Sequence, residues 1–199
     1  MKYAVLSLAL LAATSLAQAD DLARSYTYLE ADYHNVDIDD LDNVDGGGIR
    51  GSLAFGPGFY LFGSARRASY DDYGIDADLD QFQLGLGYRV YLSERTDLIA
   101  EVSRLRTELD ASAGIYKVSG HLDDTRGSIG LRGTLSEWFE AIAKVNYTDG
   151  DLYSDYDGDG NFSATVGAHV RVHPDWGITG EVEVGDNVTE YLVGLRYSF

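Results

Sequence analysis

Val188-Thr189-Glu190-Tyr191-Leu192-Val193-Gly194-Leu195-Arg196-Tyr197-Ser198-Phe199 is the stretch on which the fold turns. Counting back from its aromatic end, Phe199, Tyr197, Leu195, Val193 and Tyr191 are apolar, and the residues between them are Ser198, Arg196, Gly194, Leu192 and Glu190. A strict period of two belongs to a β-strand with one apolar and one polar face. The same grammar recurs at 81–91, where Phe82, Leu84, Leu86, Tyr88 and Val90 alternate with Gln81, Gln83, Gly85, Gly87 and Arg89. Working outward, the pattern predicts strands at 26–34, 47–55, 59–69, 81–91, 97–107, 125–134, 138–149, 162–172, 177–185 and 188–199. In the third, Tyr60 and Phe62 make both faces apolar. Segments 177–185 and 111–124 are the least regular, so eight strands stand as the alternative to ten.

Composition agrees with strands and turns. The 199 residues hold Gly 23, Tyr 15, Pro 2 and Cys 0. Without cysteine there is neither a disulfide framework nor a thiolate metal site. The formal net charge of -18 argues against nucleic acid as a partner, because phosphate recognition needs a basic face. Mean hydropathy is only -0.18. A membrane barrel exposes apolar side chains at alternate positions, so it never builds a long apolar run.

A soluble sandwich also alternates, and three further features separate the two. The connections alternate in length: 56–58, 92–96, 135–137 and 173–176 are short, whereas 35–46, 70–80, 108–124 and 149–161 are long. Short turns on one side and long loops on the other mark bacterial outer-membrane barrels. Only Asp186-Asn187 breaks the alternation. Aromatics cluster near strand ends on the apolar face: Tyr33, Phe55, Phe59, Phe82, Tyr147, Phe162, Tyr191, Tyr197 and Phe199. Most acidic residues fall in the long connections, among them Asp37, Asp39, Asp40, Asp42 and Asp45, and then Asp71, Asp72, Asp76, Asp78 and Asp80.

The closing strand and the connection lengths resemble the small outer-membrane barrels of the OmpA and OmpX type. That resemblance implies an all-β, closed, antiparallel up-and-down transmembrane barrel in a Gram-negative outer membrane. It also implies a monomer whose Leu195, Tyr197 and Phe199 serve as a signal to the barrel-assembly machinery. The fragments Gly85-Leu86-Gly87-Tyr88 and Leu61-Phe62-Gly63, with the acidic loops, are similar to a xanthomonad-type family of small outer-membrane proteins linked to quorum sensing. Membership there would imply a surface protein without enzymatic activity.

In a barrel of this kind the polar face points inward, since a lysine or arginine facing lipid at the midplane costs about 2 to 4 kcal/mol. The inward set is Glu30, Asp32, Arg50, Arg66, Arg89, Glu101, Arg126, Arg132, Lys144, Arg171, Glu181, Glu183, Glu190 and Arg196, and both signs are expected to pair. A gapless internal repeat, 92–102 against 135–145, puts Glu101 and Lys144 at corresponding inner positions. Arg67, Arg104 and Arg106 fall instead on the apolar face near outer strand ends, where lipopolysaccharide phosphates are the expected contact.

Residues 1–19 have a basic start at Lys2, an apolar middle from Ala4 to Ala13 and the small-x-small end Ala17-Gln18-Ala19. This describes a secretory signal peptide cleaved before Asp20, leaving 20–199 as a single barrel domain. Asp155-Tyr156-Asp157-Gly158-Asp159-Gly160 matches the start of a calcium loop, but Val166 stands where the bidentate acid belongs, so Asp155, Asp157 and Asp159 offer weak calcium binding at most. No other cofactor is expected. His34 and His121, the latter two residues before Asp123, supply thin material for a surface hydrolase. The leading expectation is a non-enzymatic surface protein, acting in envelope integrity or adhesion through acidic loops. A narrow ion-conducting pore is the alternative.

Overall fold

Backbone groups left unpaired in hydrocarbon cost several kcal/mol each, so a sheet that crosses a bilayer must close on itself. The computed structural model describes residues 24–38, 43–72, 75–113, 116–151 and 160–199, and its ten strands close. They are β1 (Tyr28–Ile38), β2 (Val44–Phe55), β3 (Phe59–Asp72), β4 (Ile75–Ser93), β5 (Thr96–Ala113), β6 (Tyr116–Ser136), β7 (Phe139–Gly150), β8 (Asn161–Arg171), β9 (Trp176–Val184) and β10 (Val188–Ser198). Each pairs antiparallel with its neighbours in sequence, and β10 pairs with β1 from Tyr28↔Ser198 to Ile38↔Val188. The barrel is therefore up-and-down with ten strands, not eight. The signal peptide expected at 1–19 lies outside the described residues.

The faces follow the sequence alternation. Outward, Leu84, Leu86, Val102, Ile129, Val145, Val166, Val193 and Leu195 are exposed, and these are the side chains that would meet lipid. Aromatics bound this band. Tyr33, Phe82, Tyr147, Phe162 and Tyr191 stand toward the outer end, while Phe55, Phe59, Tyr88, Trp138 and Trp176 stand toward the short turns. The turn between β2 and β3 is tight because Gly56 and Gly58 take φ of 60° and 94°, where an L side chain would be strained.

The connections 70–80 and 108–124 are not loops. Their residues extend β3, β4, β5 and β6, whose pairing continues to Asp72↔Ile75, Ile75↔Ala113 and Ala113↔Tyr116. Aspartate and serine are poor strand formers, and they mask a period-two pattern that does run on through Ile75, Ala77 and Leu79. Cross-strand pairing overrides the propensity. By contrast, β2 leaves β3 at Asp45↔Ser69 and β7 leaves β6 at Asp124↔Gly150, so among the described residues four strands project past the others.

Inside the barrel, bulky rings lie over glycines of the next strand. A Cβ added at Gly87 would stand 2.1 Å from Cζ of Tyr60. That ring cannot swing aside, because its hydroxyl donates to Glu101 at 2.8 Å and it packs 4.9 Å from the ring of Tyr26. Gly87→Val is accordingly expected to destabilise the barrel by about 1 to 3 kcal/mol through overpacking. Denaturant unfolding of the protein refolded in lipid vesicles measures this.

Candidate functional site

The lumen is crossed by ion pairs in layers, each set by strand parity. At the centre is Glu30 on β1, whose side chain is fully buried. Its Oε1 accepts from Nε of Arg50 at 2.5 Å, and its Oε2 accepts from Nε of Arg196 at 2.7 Å and from Oγ1 of Thr179 at 2.9 Å. Arg50 also reaches across the barrel to both carboxylate oxygens of Glu181, at 2.8 and 2.9 Å. Lys144 passes over Gly130 on β6 to meet Glu101 at 3.3 Å, joining the two positions that the internal repeat places in correspondence.

Toward the outer end, Nη1 of Arg66 is 2.7 Å from Glu190 and its Nε is 3.9 Å from Asp32. Arg126 pairs with Glu183 at 3.2 Å, and Ser163 and Thr165 also donate to that carboxylate. Arg66, Arg126, Glu183 and Glu190 line two cavities. The inner one is about 170 Å³, and the outer one, about 440 Å³, opens at the mouth between His34, Leu79, Thr107 and Val188.

The short-turn end is crossed by a segment that the sequence reading missed. Tyr26, taken above as the first residue of a strand, turns inward beneath β1 and is 4% exposed. Arg132 and Arg89 lie over its ring at 4.2 and 4.7 Å, and its hydroxyl donates to Asp97 at 3.1 Å. Arg24 pairs with Asp97 at 3.5 Å and donates to the carbonyl of Glu94. Arg132 bonds Glu140 at 2.7 Å and the carbonyl of Ser25 at 3.1 Å. Residues 24–27 thus form a plug. Asp97 and Glu140 share strand parity with Glu101 and Lys144, and that parity was the signal available for finding them. Nothing in the sequence marks Tyr26 as a plug, since a tyrosine before a strand suits a lipid-facing position equally well.

Of the expected inward set, Glu30, Asp32, Arg50, Arg66, Glu101, Arg126, Arg132, Lys144, Glu181, Glu183, Glu190 and Arg196 meet in these contacts. Arg89 is drawn to Tyr26 and Tyr91. Arg171, at the end of β8, enters no ion pair among the described residues.

Arg67, Arg104 and Arg106 point outward. Arg67 binds Asp80, Arg106 lies 3.2 Å from Glu108, and Arg104 donates to Oγ1 of Thr125 at 2.6 Å. His34 is buried in the lumen on β1, whereas His121 is exposed on the outward side of β6, so the two do not share a site. Asp155, Asp157 and Asp159 lie outside the described residues. Phe199, Tyr197 and Trp176 form an aromatic chain with centroids 4.8 and 4.9 Å apart, and Leu195 faces outward two residues before Tyr197.

Among solved structures, the barrel is similar to the NanC porin, with TM-score 0.55 and 7% identity over 86% of this chain and 100% of that one. It is also similar to the beta domain of the Bordetella autotransporter Brka, with TM-score 0.53 and 12% identity over 88% and 100% of the two chains. The translocator domain of autotransporter NalP from Neisseria meningitidis gives TM-score 0.50 and 10% identity over 100% and 96%. At these identities the likeness is one of fold. Among curated proteins no match is found. The family described as outer membrane protein beta-barrel domain matches residues 6–199. The chain belongs to that family and is a protein of the Gram-negative outer membrane.

Proposed function

We propose that this protein acts by contact at the cell surface, as a closed barrel that carries a rigid acidic sheet, and that it neither conducts nor catalyses. The observation that carries this reading is the projection of β3–β6 past the rest of the barrel. A hydrogen-bonded sheet holds its side chains in fixed register, as an interaction surface requires. On its outward face Asp78 and Asp110 are exposed register partners, which favours a basic ligand on the opposing surface. The expected roles are adhesion or envelope integrity, in keeping with the resemblance to the xanthomonad-type surface proteins.

A narrow ion path is the second reading, favoured by the two polar cavities. The plug separates the two readings. In planar bilayers the wild type is expected to give no discrete conductance steps, and Tyr26→Gly to give steps by removing the ring over which Arg89 and Arg132 lie. Steps from the wild type would favour the pore. Cell adhesion to a cationic surface, lost when Asp78 and Asp110 are both changed to Asn, tests the contact reading directly.

A further inference from the structure

At the outer edge of the lipid-facing band, the three outward arginines differ in what compensates them. Arg67 forks onto Asp80, with Nε to Oδ1 at 2.7 Å and Nη2 to Oδ2 at 2.5 Å. In that fork the guanidinium and the carboxylate compensate each other. Arg106 has Glu108 at 3.2 Å, with both side chains about half exposed. Arg104 has no carboxylate within 4.0 Å among the described residues, and its one bond is to the neutral Thr125 hydroxyl at 2.6 Å.

The β4 side of Arg104 is apolar, while on β6 its diagonal neighbour Asp123 stands opposite Arg106 and makes no ion pair with Arg104 within 4.0 Å. Across the ladder it faces Leu84, its diagonal neighbour is Phe82, and Val102 stands two residues below it on the same face. All three are exposed to whatever surrounds the barrel, at 62%, 48% and 54%. A guanidinium presents five donors, and Thr125 takes one of them at Nη1. That bond orients the plane and leaves the opposite Nε/Nη2 edge for an acceptor that offers two oxygens. An uncompensated cation beside three lipid-facing apolar groups fits a ligand with an anionic head and acyl chains.

We propose that Arg104, oriented by Thr125, binds a phosphate group of an outer-leaflet lipid of the lipid A type, with Arg106 held by Glu108 and outside the site. The phosphate accepts two charge-assisted hydrogen bonds from the free edge of Arg104, while the acyl chains cover Leu84, Phe82 and Val102. A free phosphate could satisfy the guanidinium but would leave the apolar rim uncovered, so the lipid-borne form is the occupant. Arg67 is no part of this site, because Asp80 already takes its fork.

The test uses the folded full chain in detergent, with native mass spectrometry reading retained lipid. The probes are bisphosphorylated lipid A, dephosphorylated lipid A and inorganic phosphate. Wild type is expected to retain the bisphosphorylated form, with binding weakened about tenfold by removal of the phosphates and about tenfold by Arg104→Ala. Arg104→Lys should keep part of the affinity, and Arg67→Ala should bind as wild type. Heat-modifiable gel migration confirms that each variant is folded. Should Arg104→Ala not fold, Thr125→Val is expected to weaken retention through loss of orientation. Equal retention by wild type and folded Arg104→Ala would overturn the proposal, as would equal binding of the dephosphorylated lipid. Displacement of lipid A by millimolar inorganic phosphate would show a simple anion site and overturn the lipid assignment.

Discussion

Glu30→Gln is expected to destabilise the barrel by about 3 to 5 kcal/mol, the cost of stranding a buried charge by removing its partner. The carboxylate is fully buried and accepts from three donors: Arg50, Arg196 and Thr179. An amide of the same shape keeps one acceptor oxygen and turns the other into donors, which then face a guanidinium. Arg50 retains Glu181, so the deficit falls on Arg196, which among the described residues otherwise lies over the ring of Tyr28 at 4.0 Å. The neighbouring strand is built around this carboxylate, since a Cβ at Gly194 would lie 2.6 Å from Glu30 Oε1. Unfolding in denaturant after refolding into vesicles measures the effect, with Glu190→Gln as the comparison. Glu190 is a quarter exposed and pairs with Arg66, so its loss should cost about 1 kcal/mol or less. If the two variants proved equally mild, the centre of the lumen would be solvated well enough to hold single charges.

Strand parity made the direction of nearly every charged side chain legible from the sequence. Glu30, Arg50, Arg196 and Lys144 point inward for the same reason that Leu29, Ile49, Tyr197 and Val145 point outward. Partner choice was not legible. Arg50 meets Glu181, 131 positions away, only because the sheet closes with a particular stagger, and alternation along one strand carries no information about stagger. The projecting hairpins were hidden by composition: Asp78 and Asp80 suggest a solvated loop, yet they stand on the outward face of β4 in step with Phe82 and Leu84. The plug was hidden by ambiguity, since Tyr26 fits either face of a strand by residue type. Only the pocket formed by Arg89, Arg132, Tyr60 and Asp97 decides where its ring goes, and those residues come from β3, β4, β5 and β6.

Deleting Phe199 is expected to remove most of the folded protein from outer membranes while leaving the purified chain able to refold. In the folded barrel the contribution of this residue is small and local. Its N–H donates to the carbonyl of Thr27 at 3.0 Å, its carbonyl accepts from Ser25 Oγ at 3.3 Å, and its ring packs edge-on to Tyr197. Net hydrogen-bond contributions of this kind amount to about 1 kcal/mol each. A ring on the lipid side gains little from burial, because lipid tails are as apolar as the protein groups they would replace. Packing alone therefore gives no reason for the deletion to be severe. We propose that in cells the last strand is recognised through Leu195, Tyr197 and Phe199, which share the outward face of β10, before it joins β1. The two measurements separate the roles: the heat-modifiable fraction in isolated outer membranes reports assembly, and refolding into vesicles reports stability. Normal insertion of the shortened chain in cells would show that the aromatic serves closure only. A refolding defect as large as the defect in cells would place its role in the barrel itself, through the Thr27 and Ser25 bonds that hold the plug segment against β10.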